Sequence, residues 1–241
     1  MKVSVVVPAF NEERLLPASL QSIQAASAAF TDAGWTTELI VCDNNSTDRT
    51  AEIAAASGAC VVFEPVNQIS RARNAGAARA TGDWLVFVDA DSFPTRELFA
   101  DVVAAIGGGR CIAGGSAVRV DLKSPLVDAA IGCWNVVSRT LKWAAGSFIF
   151  CEAAAFREVG GFTDKLYAAE EIDLFRRLKR LARRAGRSIV ILEDHPLLTS
   201  GRKASLYTPR EMLLFYLRTV ASAGRTLRSA RRAYPWYDGR R

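Results

Sequence analysis

Two rhythms of apolar residues alternate along this chain, and their order predicts its architecture. Short continuous runs rich in Val, Ile, Phe and Trp read as buried strands at Val3–Val7, Glu38–Cys42, Cys60–Phe63 and Trp84–Val88. Between them the spacing turns helical, over Glu12–Ala29, from Ser46 or Thr47 to Ala56, and over Ser70–Ala80, which Gly82 closes. Strands that alternate with helices in this way imply βαβ units and a parallel, doubly wound sheet. The second half is less regular. It predicts helices at Thr95–Ile106, Pro125–Leu141, Glu152–Val159 and Ala168–Arg184, and strands at Cys111–Val120, within Ala144–Cys151, and at Ile189–Leu192. A last helix is expected over Thr208–Ala233, ahead of Pro235. The fold class is therefore α/β, a mostly parallel sheet flanked by helices, with a basic helix at the C-terminus.

Composition narrows the picture. The 241 residues suit one large domain, or one domain with an appendage, and half of them are hydrophobic, so a sizeable core is expected. No apolar stretch approaches the roughly 18 residues that span a bilayer. The chain opens directly into Val3–Val7 without a cleavage-site pattern, so the expected location is the cytoplasm. The five cysteines, Cys42, Cys60, Cys111, Cys133 and Cys151, are scattered and never in C-x-x-C spacing, which disfavours a disulfide framework or a structural zinc site. Charge is unevenly spread. Residues 202–241 hold ten Lys/Arg against two acids, a net of +8, while residues 1–201 hold 21 Lys/Arg against 23 acids. A basic tail on a near-neutral body argues against a nucleic-acid enzyme, whose cleft would be basic throughout.

Chemistry concentrates at predicted strand ends. The first strand is followed by Pro8-Ala9-Phe10-Asn11-Glu12-Glu13, with neither G-x-G-x-x-G nor a G-x-x-x-x-G-K-[ST] loop, which disfavours a Rossmann dinucleotide site and a P-loop NTPase. The second ends in Asp43-Asn44-Asn45-Ser46-Thr47-Asp48. The fourth ends in Asp89-Ala90-Asp91. Acids at that end of an open α/β sheet project into the crevice where ligands bind, and a D-x-D pair can hold a hard divalent cation and, through it, a diphosphate.

These pieces, in this order, resemble the inverting family 2 glycosyltransferases with the GT-A fold, a Rossmann-like fold of nucleotide-diphospho-sugar transferases. The match comprises Val5-Val6-Val7-Pro8-Ala9-Phe10-Asn11-Glu12, Asp43–Asp48, Ala72-Arg73-Asn74-Ala75-Gly76, Asp89-Ala90-Asp91, Gly160-Gly161-Phe162 and Glu170-Glu171-Ile172-Asp173-Leu174. Any one motif is weak; six in order are specific. The resemblance implies a glycosyltransferase domain over residues 1–200, with a nucleotide-binding half at about 1–110 and an acceptor half at 111–200, followed by a basic extension at 201–241. It further implies a nucleotide-diphosphate sugar donor, UDP-sugar favoured, an acceptor that is a sugar, a lipid-linked species or a small molecule, and Mg²⁺ or Mn²⁺ as cofactor. Pro8, Ala9 and Glu12 would line the nucleotide, and Asp43 would accept an N–H of the base. Arg73 would lie along the nucleotide, Asp89 would meet the ribose or the metal shell, and Asp91 would ligate the metal. Turn and N-cap chemistry competes for Asp43 and Asp48, and a solvated helix face competes for Arg73.

Inverting transfer needs a base for the acceptor hydroxyl. Glu171 heads the stripe Leu174, Phe175 and Leu178, whereas Asp173 leads to Arg177 and Arg180 on a solvated side. Glu171 is the expected general base, with capping of the helix as its alternative. Glu170 is expected towards the Asp173 side, orienting the acceptor or capping. Where this chain has Glu171 the family pattern has Asp. By a weaker part of the resemblance, His195 completes the metal shell; an imidazole satisfied by a local loop is the competing account. Thr199-Ser200-Gly201-Arg202-Lys203 reads either as a basic loop that closes on the diphosphate through Arg202 or as a surface turn. Leu213, Leu217, Val220 and Leu227 share one side of the last helix, and Arg218, Arg225 and Arg232 repeat on another. That pattern suits a helix packed on the domain, or peripheral contact of 208–233 with the inner face of a membrane. Two further classes compete. A non-catalytic nucleotide-sugar-binding protein would lack the acids present here, and a nucleotidyltransferase would want a glycine-rich basic loop after the first strand.

Overall fold

The computed structural model describes residues 1–202, 206–222, 224–233 and 237. Its strands are β1 (Lys2–Ala9), β2 (Thr36–Asp43), β3 (Cys60–Phe63), β4 (Trp84–Val88), β5 (Ser92–Phe93), β6 (Cys111–Val120), β7 (Phe148–Glu152) and β8 (Ser188–Thr199). They form one eight-stranded sheet in the order β3-β2-β1-β4-β7-β6-β8-β5. The first four pair in parallel, with Val5 of β1 in register with Leu39 on one side and Val86 on the other. β7 runs antiparallel between β4 and β6, and β5 runs antiparallel to β8.

Period-two alternation divides the apolar residues between the two faces of this sheet. Val3, Val5, Val7, Val86 and Val88 pack against α1 (Leu16–Ala26), α2 (Ala28–Asp32) and α5 (Arg96–Gly107), through Leu20, Ile23, Phe30, Phe99 and Val102. Val6, Leu85 and Phe87 face the other way. They meet α4 (Ile69–Arg79), α7 (Ala153–Glu158) and α8 (Glu170–Arg184), through Ala77, Phe156, Leu174, Phe175 and Leu178. Gly76 lets α4 lie against β1, because a Cβ there would run into the Val6 side chain. The remaining helices are α3 (Thr50–Ala56) and α6 (Pro125–Leu141), and α9 (Pro209–Ala221) lies in the tail.

Several elements differ from expectation for identifiable reasons. α1 starts at Leu16, with Pro17 in its first turn, not at Glu12. α3 starts at Thr50 because Ser46 and Thr47 are taken up by the preceding loop: Ser46 Oγ accepts from Asn11 N–H and Thr47 N–H donates to Asn11 Oδ1. β8 runs well past Leu192. Residues 193–196 bulge out where the register slips between Ser116 and Val118, and Pro196, which has no N–H to donate, sits in that bulge. The two-residue β5 lies beyond what hydrophobic periodicity can signal.

The tail is not one continuous helix. α9 ends at Ala221, Gly224 takes a left-handed conformation at φ 79°, and a 3₁₀ turn spans Arg225–Arg228. Arg218, Arg225 and Arg232 thus fall on a helix, a 3₁₀ turn and an irregular turn, and share no common helical face. Tyr207, Phe215, Thr226 and Ala233 are buried, and Tyr167 N–H donates to the Leu227 carbonyl at 2.7 Å. The side chains of Leu213 and Val220, and all of Lys203, lie outside the described residues. Among the described residues no helix is long and apolar enough to cross a membrane.

Gly114 of β6 sits where an added Cβ would meet the Phe150 ring and the Val190 carbonyl. Gly114→Ala should destabilise the fold by about 1–3 kcal/mol through overpacking, read as a lowered urea midpoint at unchanged m-value.

Candidate active site

The loops after β1 and β2 form one unit at the sheet end that also carries Asp89. Asn11 and Asn45 both occupy the left-handed region, at φ 52° and 65°, which Asn tolerates better than other non-glycine residues. Asn11 N–H donates to Ser46 Oγ at 2.9 Å, and Glu12 N–H to Thr50 Oγ1 at 2.8 Å. Asp48 is consumed here: its Oδ1 accepts from Thr50 N–H and its Oδ2 from Glu13 N–H. Burial opposes the Asp48 charge, but these donors hold its pKa below the usual carboxylate range. Pro8 and Ala9 close β1 in register with Cys42 and Asp43. Asp43 is buried and accepts from Ser46 N–H at 3.2 Å in an Asx-type turn. Asn44 holds the third loop, donating to the Glu64 and Val66 carbonyls and accepting from Gln68 N–H.

Arg73, on α4, is the centre of the site. It is 1% exposed, and its guanidinium donates to Asp89 Oδ1 at 2.9 Å, Glu170 Oε1 at 2.6 Å and the Gly146 carbonyl at 2.8 Å. The Phe162 ring lies 5.2 Å away. Burial disfavours the cation, but Asp89, Glu170 and Glu171 outweigh it and raise the pKa further above the arginine value. A solvated helix face does not describe this residue. Asn74 fastens the Gly160-Gly161-Phe162 turn to α4 by exchanging hydrogen bonds with the Phe162 N–H and carbonyl.

The two glutamates at the head of α8 have different surroundings. Ala169, before the helix, sits at φ 62° and sets its starting angle. Glu170, expected on the Asp173 side, instead heads the buried stripe with Leu174 and Leu178, and its carboxylate is spent on Arg73. Glu171 is only partly buried. Its carboxyl carbon lies 3.7 Å from the point where a Gly146 Cβ would stand. Burial, then the charge of Glu170, push its pKa from 4.5 up to about 8, against the pull of Arg73.

Arg202 reaches the opposite side of the D-x-D segment. It grips Glu12 with both terminal nitrogens, at 2.6 and 3.1 Å, and lies 3.6 Å from Asp91 Oδ2. The Glu12 carboxylate, expected to line the nucleotide, is thus engaged by Arg202. Asp91 is anchored through its backbone, whose carbonyl accepts from Ser200 N–H. The structure does not bring His195 to Asp91. Its Nδ1 lies 2.9 Å from Asp101 Oδ2 on the outer surface, a pairing that raises the imidazole pKa. The physical reason is the β8 bulge, which takes residues 193–196 out of the ladder with β6. Among the described residues no group of three or more His, Cys, Asp and Glu converges as a metal-holding cluster. Asp91 and Asp89 offer hard carboxylate oxygens suited to Mg²⁺ or Mn²⁺, but too few to complete a shell without oxygens from a ligand.

Three contributors escaped sequence reasoning. Gly146 accepts from Arg73 through its carbonyl and leaves room beside Glu171; a glycine within a strand-like run was its only signal. Gln68 is buried and donates to the Asp164 and Leu166 carbonyls, tying α4 to the segment before α8. Tyr237 accepts from Ile69 N–H at 3.3 Å and stacks edge-on against Tyr167, and nothing in the tail's pattern marks it.

The sequence profile described as "Glycosyl transferase family 2" matches residues 4–153. The chain belongs to this family. An uncharacterized glycosyltransferase of Mycobacterium tuberculosis is 44% identical over 89 residues, 37% of this chain and 36% of that protein. The match therefore spans little more than a third of that curated relative. Among solved structures, the mannosyltransferase PcManGT from Pyrobaculum calidifontis, in complex with GDP-Man and Mn²⁺, superposes with a TM-score of 0.69 at 18% identity, covering 98% of this chain and 67% of that one. TarS 1–349 of Staphylococcus aureus, in complex with UDP-GlcNAc, gives 0.65 at 22% identity, covering 91% and 66%. At these identities the likeness is one of fold, and it places this family 2 glycosyltransferase among the GT-A structures.

Two stability measurements test the site. Arg73→Met leaves Glu170 and Asp89 without their cation and should cost about 3–5 kcal/mol in urea unfolding. Glu171 binds its proton more tightly folded than unfolded, so its contribution to stability falls as pH rises from about 4.5 to about 8 and is flat above that. Glu171→Gln should therefore be more stable than the parent at pH 8.5, with the gap closing towards pH 4.5.

Proposed function

We propose that this glycosyltransferase moves a sugar from a nucleoside-diphosphate donor to an acceptor hydroxyl with inversion at the anomeric carbon, Glu171 being the general base. The observation that carries this reading is the division of labour at the head of α8. Glu170 is neutralised by Arg73 at 2.6 Å, whereas Glu171, with a pKa raised to about 8, stays on the cleft side beside Gly146. A carboxylate with a raised pKa is a better proton acceptor than an ordinary one, and a base works best with a pKa near the working pH. As the acceptor oxygen attacks, its proton passes to Glu171, and the bond from the anomeric carbon to the diphosphate breaks on the opposite face.

The donor side is assigned to the loops after β1, β2 and β4. Pro8, Ala9 and Asp43 take the base; one Asp43 oxygen already accepts from Ser46 N–H, so the carboxylate suits a single further N–H such as the imide of uracil, which favours a UDP-sugar. Asp89, held in place by Arg73, faces the ribose. Asp91 would hold Mg²⁺ or Mn²⁺ together with the donor's diphosphate. The cation would supply charge neutralisation to the leaving group. Arg202 belongs to the same leaving group: its guanidinium matches phosphate oxygens bidentately, and Glu12 orients it. Stabilising charge that develops in the transition state is usually the largest catalytic contribution. Glu170 is a positioning residue, acting through Arg73.

Titration calorimetry with UDP, GDP and dTDP, each with and without Mn²⁺, tests the donor assignment. Binding of UDP strengthened by Mn²⁺, and loss of that strengthening in Asp91→Ala, is the expected result. Glu171→Gln should keep UDP affinity within about two-fold while donor turnover falls by about 10²–10⁴. Turnover that survives in Glu171→Gln would remove Glu171 as the base. In the parent enzyme kcat/KM should rise with pH to a plateau above about 8, because the base acts deprotonated.

A further inference from the structure

Helix α6 is apolar on two sides. Towards the domain, partly buried Ile131 and Trp134 pack on the core, and the polar groups beside them are used: Asn135 exchanges hydrogen bonds with the Val118 N–H and carbonyl on β6, and buried Ser138 donates to the Trp143 carbonyl. The side turned outward is apolar. Leu126 is 64% exposed, Val136 52% and Leu141 41%, and exposed Ala129, Ala130 and Cys133 lie between them at helical spacing. On that outward side the polar exception is Thr140; Asp128 and Arg139 lie off its edge, and Arg139 is paired with Glu193. A contiguous apolar face of this kind on a surface helix marks an interaction site.

What surrounds the face decides its partner. Lys142 terminates α6 in a left-handed turn. Arg176 and Lys179 of α8 lie over the Trp143 ring, at 5.4 and 5.5 Å from its centroid, and Lys179 also donates to the Leu141 carbonyl. Burial, then the like charges of Arg183, Arg176 and Lys142, depress the Lys179 pKa, a measure of how closely these cations are crowded. A second copy of the chain, docked face to face, would bring two such cationic rims together at a cost in repulsion. An anionic lipid surface meets an apolar helix face and a cationic, tryptophan-bearing rim at once.

We infer that α6 is an interfacial helix that seats this protein on an anionic bilayer, with Leu126, Cys133, Val136 and Leu141 entering the acyl boundary and Lys142 and Arg176 meeting headgroups. This contact is separate from the 208–233 segment. It stands apart from the reaction, since no donor or acceptor is involved. Residues 142–147 run directly from this helix to Gly146, so the membrane would lie beside the cleft.

Flotation of the full chain tests it, using vesicles of phosphatidylcholine alone or with 30% phosphatidylglycerol. Binding to the anionic vesicles, weakened at least ten-fold by Leu126→Glu/Val136→Glu and several-fold by Lys142→Glu/Arg176→Glu, is the expected result. These side chains are on the surface, and an unchanged melting temperature would show that the variants fold. An environment-sensitive fluorophore on the exposed Cys133 should shift to the blue with the anionic vesicles. Absence of binding, or equal binding by the Leu126→Glu/Val136→Glu variant, would overturn the inference. So would a dimer in light scattering that the same variant dissociates, because the face would then belong to a second copy.

Discussion

The buried guanidinium of Arg73 is the constraint on which the site depends. A cation 1% exposed is tolerable only when acceptors surround its charge, and here two carboxylates and a carbonyl take its terminal nitrogens, although Nε has no hydrogen-bond partner among the described residues. Those acceptors come from β4, the head of α8 and the loop before β7, three segments with no other direct reason to converge. The planar fork of arginine can address them together, which a lysine cannot. Gly146 suits the same arrangement, since a Cβ there would stand 3.3 Å from Arg73 Nη2 and press on the guanidinium. One consequence is chemical. Arg73 engages Glu170 directly, while burial and the charge of Glu170 outweigh its pull on Glu171, which is left able to gain and lose a proton near neutral pH.

The parallel half was legible because its signals are local. The strand ends, the loops after them and the D-x-D segment all follow from runs and turns within a few residues, and β4, β6 and α6 occupy the residues their periodicity indicated. What could not be read was which distant groups meet. Glu170 and Arg73 are 97 residues apart, so the helical wheel of α8 alone gave Glu170 no reason to face inward. The left-handed Ala169 rotates the start of the helix, and an alanine gives no hint of that conformation. His195 looked available for a metal because the bulge that turns it towards Asp101 depends on the register of β8 against β6. In the tail, helical spacing of apolar residues continued past Gly224, but the α-helix ends at Ala221.

Polarity at α6 extends the same lesson. A pattern that reads as an ordinary amphipathic helix carries no sign of which side faces the protein. Here the edge of β6 near Val118 needs hydrogen-bonding partners, and Asn135 meets that need from beside Ile131 and Trp134, which pack on the core. The outer side keeps apolar residues that the domain does not cover.

The smallest strand has a consequence in time. β5 is two residues long, and Ser92 is held to Thr199 across 107 positions of sequence, with Ser200 N–H capping the Asp91 carbonyl. The β1–β4 units close over short separations and suit early folding, whereas a contact of this span carries a large loop-closure cost and suits late folding. During synthesis, therefore, the loops after β1 and β2 can take shape while Asp91 still lacks its backbone anchor. The acid becomes fixed only once residue 200 has been made, so assembly of the centre is deferred until most of the chain exists.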